Sequence, residues 1–499
     1  MIQNRINFGT DGWRAVIAED FTFDNVRACA QGTADYLKGA RLAGQGLVIG
    51  YDTRFASEDF AAAAAEVIAA NNIKVHLCPQ AAPTPVISYL VTATKSAGGI
   101  IITASHNPGC WNGFKYKDST GASGPTDIVS TIEKNVNAAL AAGSIKRIPL
   151  ADGLKNKLIE YADPIPVYFQ QIQRLVDLEP IRQSRLKMVD DSMYGAGMGY
   201  FKNILKGGKI QIIEINGERN PLFPDIRPEP IAKNLAKLSA MIKEQKADVG
   251  IANDGDADRI GIMDENGEFL NQHQVFALLT LYFLEVRKER GAIVRTLTDT
   301  NMLDLLGKQY GIPVYETPVG FKYVAPVMKE KDAMLGGEES GGYGFRGHVP
   351  ERDGILAGLY FLDFMIKTGK KPSQLLADLF QKVGSHYYDR IDVSLTASIG
   401  LKAEMTYEHA RRGKVVSQSA TDVKQDYANK LAKGNVSSVA GIKVTKIDTT
   451  DGYKYCLADN SWLLMRFSGT EPLIRIYAEG HSPEQVQKIL EGGQKILGI

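Results

Sequence analysis

The chain has 499 residues, 44% of them hydrophobic and 23% charged, and its 58 basic and 57 acidic side chains leave a formal net charge of +1. This composition is that of a globular protein with room for three or four domains, and it excludes long disordered regions. Without a basic excess, neither nucleic acid nor an anionic membrane is expected as the main partner.

The four cysteines are widely separated, so neither a disulfide framework nor a zinc site is predicted. No apolar run approaches the ~18 residues that span a bilayer. The first residues lack a signal-peptide pattern. We therefore expect a cytoplasmic protein.

Strands and helices alternate through the first part of the chain. Short β-branched runs predict buried strands at 46–51, 73–77 and 99–103, and an alanine-rich stretch predicts a helix at 57–71 with Ser57 as its cap. Apolar strands that alternate with helices pair in parallel and are covered on both faces.

The same order of elements recurs twice without a strong repeat of residues. The second set consists of strands at 186–190, 209–215 and 247–252 and helices at 196–205 and 231–244. The third consists of strands at 292–296 and 313–316 and helices at 274–288, from 301 and after 321.

The pattern changes from about residue 388. Strands at 454–457 and 462–467 are spaced as a hairpin, and an amphipathic helix at 483–497 follows. This part is predicted to be an α+β domain with an antiparallel sheet.

A first polar loop, TASHNP at 103–108, directly follows a predicted strand. Ligands of α/β sheets gather at the carboxyl ends of strands. Ser105, with His106 beside it and Lys115 ten residues on, could therefore act as a nucleophile or carry a phosphoryl group. The alternative is a plain Ser/Asn turn closed by Pro108.

A second loop, DGDADR at 254–259, places three carboxylates at alternate positions between apolar runs. Such charges repel unless a hard cation lies among them, and oxygen-only ligands favour Mg²⁺ or Ca²⁺. An EF-hand is one alternative, although Arg259 stands where that loop needs glycine. A phosphatase of the haloacid-dehalogenase type, with Asp254 as nucleophile, is another.

Two further loops combine glycines with charged and hydroxyl groups. GGEESGG at 336–342, followed by GHVPERDG at 347–354, offers acceptors for sugar hydroxyls. RFSGTEP at 466–472, with Arg475, is suited to hold a phosphate. A solvated surface turn is the alternative in both places.

Taken in order, these loops and the glycine-rich turn FGTDGWR at 8–14 resemble the motifs of the α-D-phosphohexomutase family, whose members interconvert hexose 1-phosphates and 6-phosphates. The resemblance spans nearly the whole chain. It implies three similar α/β domains with mixed, mostly parallel sheets and a C-terminal α+β domain like half of a TATA-binding protein, around a central cleft. The expected boundaries are 1–155, 156–266, 267–380 and 381–499.

The resemblance also implies a role for each motif residue. Ser105 would be phosphorylated and, with Asp254, Asp256 and Asp258, would hold Mg²⁺. The remaining roles are cations or proton-transfer groups near the phosphoserine for Arg14, His106, Lys115 and Arg259; sugar contacts for Glu338, Ser340 and Arg352; and phosphate contacts for Arg466, Ser468, Gly469, Thr470 and Arg475.

The implied reaction is the interconversion of glucose 1-phosphate and glucose 6-phosphate, with glucose 1,6-bisphosphate as intermediate and activator. A phosphomannomutase or dual-specificity enzyme is the alternative, followed by a phosphoglucosamine mutase. The protein would be a monomer or a small homo-oligomer. A Ca²⁺- or sugar-phosphate-binding protein without activity is the non-enzymatic alternative.

One position departs from a common form of the sugar loop. Where dual-specificity members often read GEMSGH, the matching residue here is Gly342. This leaves the general base open among Lys115, His106, His348 and a water. The GEESGG form resembles glucose-preferring members more than the GEQSGH of phosphoglucosamine mutases.

Overall fold

A computed structural model describes residues 5–9, 11–224, 226–394, 425, 427–432, 434, 436–467 and 473–498. The chain forms two compact units. One consists of residues 1–295 and 307–377, and the other of residues 296–306 and 378–499. In the described part of the chain, no helix is both long and apolar enough to cross a membrane.

The first sheet has six strands in the order β1-β5-β4-β2-β3-β6. They are β1 (Trp13–Val16), β2 (Leu47–Tyr51), β3 (Val75–Leu77), β4 (Gly98–Ile102), β5 (Trp111–Asp118) and β6 (Ile159–Tyr161). The helices are α1 (Phe23–Gly39), α2 (Ser57–Ala70), α3 (Thr84–Ala93), α4 (Thr126–Ala142) and α5 (Leu150–Lys155). β2, β3 and β4 pair in parallel, as predicted, and β6, which the sequence analysis did not predict, pairs in parallel with β3. β5 runs antiparallel to β4 and β1.

The prediction that Ser57 caps α2 is wrong. Ala56 is the capping residue and offers no side-chain hydrogen bond, while Ser57 lies inside the helix. Its Oγ donates instead to Asp52 Oδ1 at 3.1 Å, because a buried carboxylate is the stronger acceptor.

The second sheet has the order β11-β10-β9-β7-β8. Its strands are β7 (Lys187–Asp191), β8 (Gln211–Ile215), β9 (Val249–Asn253), β10 (Ile260–Met263) and β11 (Phe269–Leu270). The helices are α6 (Ile165–Leu175), α7 (Leu178–Gln183), α8 (Tyr200–Ile204) and α9 (Ala236–Gln245). The helix predicted at 196–205 shrinks to α8, because Gly199 at its start has a φ of +75°. The helix predicted at 231–244 begins at Ala236 after a short 3₁₀ turn.

The third sheet has the order β13-β12-β14-β15. Its strands are β12 (Ile293–Thr296), β13 (Val314–Thr317), β14 (Leu335–Gly337) and β15 (Tyr343–Phe345). The helices are α10 (Gln272–Leu281), α11 (Met302–Tyr310), α12 (Phe321–Glu330), α13 (Gly354–Thr368) and α14 (Pro372–Val383). A capping box of Asn271 and Gln274 starts α10, which continues as a π-helical turn at Tyr282–Val286.

The C-terminal sheet is antiparallel throughout, with the order β16-β21-β20-β19-β18-β17. Its strands are β16 (Tyr387–Ser394), β17 (Ser438–Val439), β18 (Ile442–Asp448), β19 (Tyr453–Leu457), β20 (Trp462–Phe467) and β21 (Leu473–Gly480), and α15 (Pro483–Leu497) follows. Alternating strand residues such as Leu463 and Met465 form its core with Ile489 and Leu490 of α15. The predicted α+β class is confirmed.

Candidate active site

Three of the predicted loops occupy the same position in their three sheets. Each leaves the carboxyl end of a strand that pairs in parallel with a neighbour, and each leads into an antiparallel partner: β4 to β5, β9 to β10 and β14 to β15. These are the loops at 103–110, 254–259 and 338–342. All three lie in the first unit. Ser105 contacts Asp254 directly, and Arg352 contacts both Asp258 and Glu338, so the three loops form one site.

Ser105 is held in an unusual backbone conformation. Its φ is +52°, in the left-handed region that a residue with a Cβ rarely adopts, and its N–H donates to Thr103 Oγ1 at 2.8 Å. Its Oγ donates to Asp254 Oδ2 at 2.8 Å. A strained serine bonded to a carboxylate 149 residues away indicates a functional site.

The loops of Ser105 and Asp254 meet backbone to backbone. A Cβ added at Gly255 would lie 2.4 Å from the Ser105 carbonyl oxygen, so only glycine permits this approach. The glycine therefore sets the distance between the serine and the acidic loop.

The three aspartates of the acidic loop form a buried cluster. One carboxylate oxygen from each of Asp254, Asp256 and Asp258 lies within 4.8 Å of the others, and all three residues are buried. Asp256 Oδ1 and Asp258 Oδ1 accept no hydrogen bond within the described part of the chain. Buried carboxylate oxygens without partners are costly, so the residues present fit a hard divalent cation.

The flanks of this loop exclude an EF-hand, because β9 and β10 are strands and pair as a hairpin. Glu265, at the position of the twelfth EF-hand ligand, instead accepts a bond from Ser373 Oγ at 2.5 Å. The EF-hand alternative is therefore wrong.

Lys115 lies on β5 and reaches the acidic loop. Its Nζ is 2.9 Å from Asp256 Oδ2 and 2.8 Å from Asp11 Oδ2, and the side chain is 1% exposed. Burial alone would lower the pKa of Lys115, but Asp11 and Asp256 outweigh it and raise the pKa. In this arrangement Lys115 is a buried cation.

Arg14 contacts the serine loop, and His106 is part of it. Arg14 on β1 donates Nη1 to Asn107 Oδ1 at 2.7 Å, and His106 Nδ1 lies 3.3 Å from Ser105 Oγ. Burial, with Arg259 as the next cause, lowers the pKa of His106 well below its ordinary value, so the ring is neutral. Arg259 Nε lies 4.0 Å from Asp254 and 3.8 Å from Asp258.

Arg352 links the sugar loop to the acidic loop. Its guanidinium is 3.0 Å from Glu338 Oε2, 2.7 Å from Asp258 Oδ2 and 3.3 Å from Asp11 Oδ2. Burial raises the pKa of Glu338 to about 7 against the opposing effect of Arg352. Ser340 Oγ is buried and has no hydrogen-bond partner among the described residues.

The structure accounts for the glycine at position 342. A Cβ there would lie 2.3 Å from Arg352 Cδ, so the arginine side chain occupies the space that a side chain at 342 would need. A histidine cannot stand at 342 unless Arg352 moves.

His348 lies in a separate buried network. Its Nε2 is 3.0 Å from Asp353 Oδ2, its ring stacks on Tyr89, and its side chain is 0% exposed. Tyr168 also donates to Asp353, which caps α13. Of the candidate bases, Lys115 and His106 lie at the serine loop, whereas His348 is enclosed elsewhere.

Arg466 and Arg475, in the second unit, face each other across neighbouring strands. They are register partners of β20 and β21, and the Arg466 guanidinium is 3.0 Å from Asp451. Adjacent guanidinium groups are suited to an anion. Ser468, Gly469 and Thr470 lie outside the described residues.

Sequence reasoning assigned no role to several side chains that support this site. Asp11 contacts Lys115 and Arg352, and Thr84 Oγ1 donates to Asp256 Oδ2 at 2.7 Å. Asp11 stands in the motif at 8–14, which was a usable signal. Thr84 carries no signal, because its partner is 172 residues away.

A buried ion pair of Lys117 and Glu351 contacts Arg352. Lys117 Nζ donates to Glu351 Oε2, and both side chains are 0% exposed. Glu351 Oε1 accepts from the Arg352 backbone N–H at 3.0 Å. Burial opposes ionisation of Glu351, but Lys117 and Arg352 prevail and lower its pKa.

Family models for the phosphoglucomutase/phosphomannomutase domains match four successive parts of the chain. They are α/β/α domain I at residues 5–142, α/β/α domain II at 166–267, α/β/α domain III at 271–383 and the C-terminal domain at 423–492. The chain therefore belongs to the phosphoglucomutase/phosphomannomutase, or α-D-phosphohexomutase, family. It is a phosphohexomutase, an isomerase of carbohydrate metabolism that transfers a phosphoryl group within a hexose phosphate.

Similar proteins match along nearly their whole length. A phosphoglucomutase/phosphomannomutase of Thermococcus kodakarensis is 31% identical and covers 98% of each chain. A phosphoglucomutase of Komagataeibacter xylinus is 30% identical over 95% of this chain and 87% of its own. A Thermus thermophilus structure, provisionally designated a phosphomannomutase, has a TM-score of 0.81 at 33% identity and covers 99% of both chains.

Other relatives differ in the hexose that their names specify. A Methanosphaera stadtmanae protein, 30% identical, is provisionally designated a phosphoglucosamine mutase. An Aspergillus fumigatus N-acetylphosphoglucosamine mutase, which shares the fold at 15% identity and a TM-score of 0.57, has been solved with GlcNAc-6P and magnesium. The names thus specify the reaction class and leave the hexose open.

Proposed function

We propose that this phosphohexomutase interconverts glucose 1-phosphate and glucose 6-phosphate, with phospho-Ser105 as donor and glucose 1,6-bisphosphate as intermediate and activator. The observation that carries the proposal is the bond from Ser105 Oγ to Asp254 in a buried three-carboxylate loop. A hydroxyl in this position can carry a phosphoryl group beside a cation held by the same carboxylates.

Mg²⁺ is the proposed cation, and Asp254, Asp256 and Asp258 would hold it together with a phosphoserine oxygen. When bound, it supplies positive charge that balances the charge developing on the transferred phosphoryl group. A solved fold relative contains magnesium, which supports the choice of ion.

The first transfer breaks the bond between phosphorus and the Ser105 oxygen and forms a bond to the C6 oxygen of glucose 1-phosphate. The C6 hydroxyl loses its proton, and the serine oxygen gains one. Lys115 and His106 are the proposed proton-transfer groups, since both lie at the serine loop. Arg14 and Arg259 would hold the phosphoryl oxygens in place.

The bisphosphate must then turn so that its C1 phosphate returns a phosphoryl group to Ser105. Glu338, Ser340 and Arg352 would bind the 3- and 4-hydroxyls, which exchange places approximately when the ring turns. The phosphate that does not react would be bound by Arg466 and Arg475 together with Ser468, Gly469 and Thr470.

A sugar loop that contacts C3 and C4 does not contact C2. Because glucose and mannose differ at C2, we expect weak discrimination between them. The preference for glucose rests on the resemblance of GEESGG to glucose-preferring members and on the name of the Komagataeibacter xylinus relative.

The test is a coupled assay of the purified protein with glucose 1-phosphate, mannose 1-phosphate and glucosamine 1-phosphate, with bisphosphate activator and Mg²⁺. We expect the highest kcat/KM with glucose 1-phosphate. A clear preference for mannose or glucosamine would overturn the substrate assignment and leave the reaction class intact.

The serine is tested by Ser105→Ala and intact-mass analysis. The wild-type protein should carry an added mass of roughly 80 Da, the variant should lack it, and turnover should be lost while sugar-phosphate binding remains. Near-normal activity in the variant would overturn the role of Ser105. The matched control is Ser373→Ala, because the Ser373 hydroxyl contacts Glu265 and has no proposed role. This variant should keep both the added phosphoryl mass and the activity.

A further inference from the structure

Arg54 donates several hydrogen bonds to the loop that carries Ser105. Its Nη2 donates to the carbonyl oxygens of Ser105 and Asn107, both at 2.6 Å, and its Nη1 donates to those of Pro108 at 2.8 Å and Trp111 at 3.0 Å. One guanidinium thus donates to three backbone carbonyls of the serine loop and to that of Trp111, the first residue of β5.

The guanidinium is itself fixed on its remaining sides. Arg54 Nε donates to Asp52 Oδ2 at 3.1 Å, and both side chains are 0% exposed. The ring of Phe223 lies under the guanidinium, 4.9 Å from its central carbon. A planar group with five donors, held by a buried carboxylate and an aromatic ring, has little freedom to move.

Four carbonyl oxygens converge on the guanidinium, and of these the Pro108 oxygen also accepts from the Trp111 backbone N–H at 3.0 Å. Their oxygens carry partial negative charge, and a buried acceptor without a partner costs about 1–3 kcal/mol. The conformation they impose includes the left-handed backbone of Ser105, which is itself unfavourable for a residue with a Cβ. The arginine therefore supplies the stabilisation that keeps Ser105 in this conformation.

We propose that Arg54 is a positioning residue for phosphoryl transfer, which fixes the Ser105 oxygen in line with the acceptor while touching no substrate atom. The proposal rests on the proposed role of Ser105 as the phosphoryl carrier. Misplacement of a reacting atom by about 1 Å costs about 100-fold in rate. Because Arg54 acts through the loop, its loss should lower kcat and leave KM nearly unchanged.

The test variant is Arg54→Lys, which keeps the charge but cannot donate to four carbonyl groups. We expect kcat to fall about 100-fold and KM to change less than twofold. Asp52→Asn is the second variant, should the lysine variant not fold, and we expect a loss of about tenfold in kcat because the guanidinium loses its anchor. Wild-type kcat in either folded variant would overturn the proposal.

A control separates positioning from general structural support. Arg182 also donates through Nε and Nη2 to a backbone carbonyl, that of Ile204, but has no role in the site. Arg182→Lys should lower the unfolding midpoint without lowering kcat. If Arg182→Lys and Arg54→Lys lower kcat equally at equal loss of stability, the role of Arg54 is merely structural and the proposal fails.

Chemical rescue gives a further readout. Guanidinium ion at millimolar, non-denaturing concentration should raise the kcat of Arg54→Ala at least tenfold, because the cavity left by the side chain matches the missing group. Absence of rescue in a folded Arg54→Ala protein would count against the proposal. Failure of the proposed function would appear in the wild-type protein, which would then show neither phosphoserine nor turnover, whereas failure of the positioning role leaves the wild type fully active.

Discussion

Gly342 and Arg352 occupy adjoining space in the site, and this makes the pair testable. A Cβ at position 342 would lie 2.3 Å from Arg352 Cδ and 2.8 Å from its Cγ. The backbone at 342 is not in the left-handed region, so alanine is conformationally allowed there. We therefore expect the entire effect of Gly342→Ala to come from displacement of the Arg352 side chain.

The expected loss of activity in Gly342→Ala follows from the contacts that Arg352 makes with Glu338 and Asp258. Its displacement would break the contacts at 3.0 Å with Glu338 and 2.7 Å with Asp258. Overpacking in a tight site costs about 1–3 kcal/mol, and at about 1.4 kcal/mol for each tenfold this predicts a loss of kcat/KM of roughly 5- to 150-fold.

The measurement is a double-mutant cycle on kcat/KM and on the urea unfolding midpoint. In an Arg352→Ala background the clashing Cδ and Cγ are absent, and the nearest remaining atom is the Cβ at 3.3 Å. There, Gly342→Ala should cost less than twofold, which gives a coupling energy of about 1–3 kcal/mol. Gly39→Ala, with nothing within 4 Å of the added Cβ, is the control. Equal losses in the two backgrounds would refute the reasoning.

Three further outcomes are expected. Lys117→Met or Glu351→Gln alone should destabilise the fold by about 3–5 kcal/mol, because each leaves a buried charge unpaired. The double variant should recover part of this loss, and additive losses in a denaturant titration would contradict the prediction. The neutral form of Glu338 stabilises the fold fully below its ordinary pKa of 4.5, and this contribution is lost as the pH rises through about 7. The difference in free energy of unfolding between the wild type and Glu338→Gln should therefore fall by at most about 3 kcal/mol between about pH 5 and pH 8. Thermal melts that show the same difference at both pH values would count against this prediction. A chelator should abolish activity and added Mg²⁺ should restore it. Asp256→Asn should raise the Mg²⁺ concentration needed for half-maximal activity, because one carboxylate ligand is lost; full activity in chelator would remove the acidic loop from the mechanism.

The sequence predicted the elements whose causes are local. β20 and α15 lie at the predicted positions, because a short run of apolar residues and a Ser-Pro helix start are short-range signals. The acidic loop could likewise be predicted as a cation site, since three closely spaced carboxylates can be recognised without knowing the fold.

Where the observed elements differ from the prediction, a specific partner of the side chain is the cause. Serine favours the cap position, which predicts Ser57 as the cap of α2, but the Ser57 hydroxyl donates a hydrogen bond to Asp52 instead. The strand β5 was missed because its sequence mixes charged and apolar residues, and its lysines are buried only because Asp11, Asp256 and Glu351 pair with them.

The order of residues along the chain is enough to identify the chemical groups of this protein: which side chains stand at strand ends, in which order, and with which donor atoms. How these side chains are combined depends on the folded chain. Lys115 meets Asp256 across 141 residues, Ser105 meets Asp254 across 149, and Arg352 meets Asp11 across 341. Such partners are set by the packing of whole sheets against one another, and burial then fixes which charges must be paired, so neither spacing nor residue type along the chain can specify them.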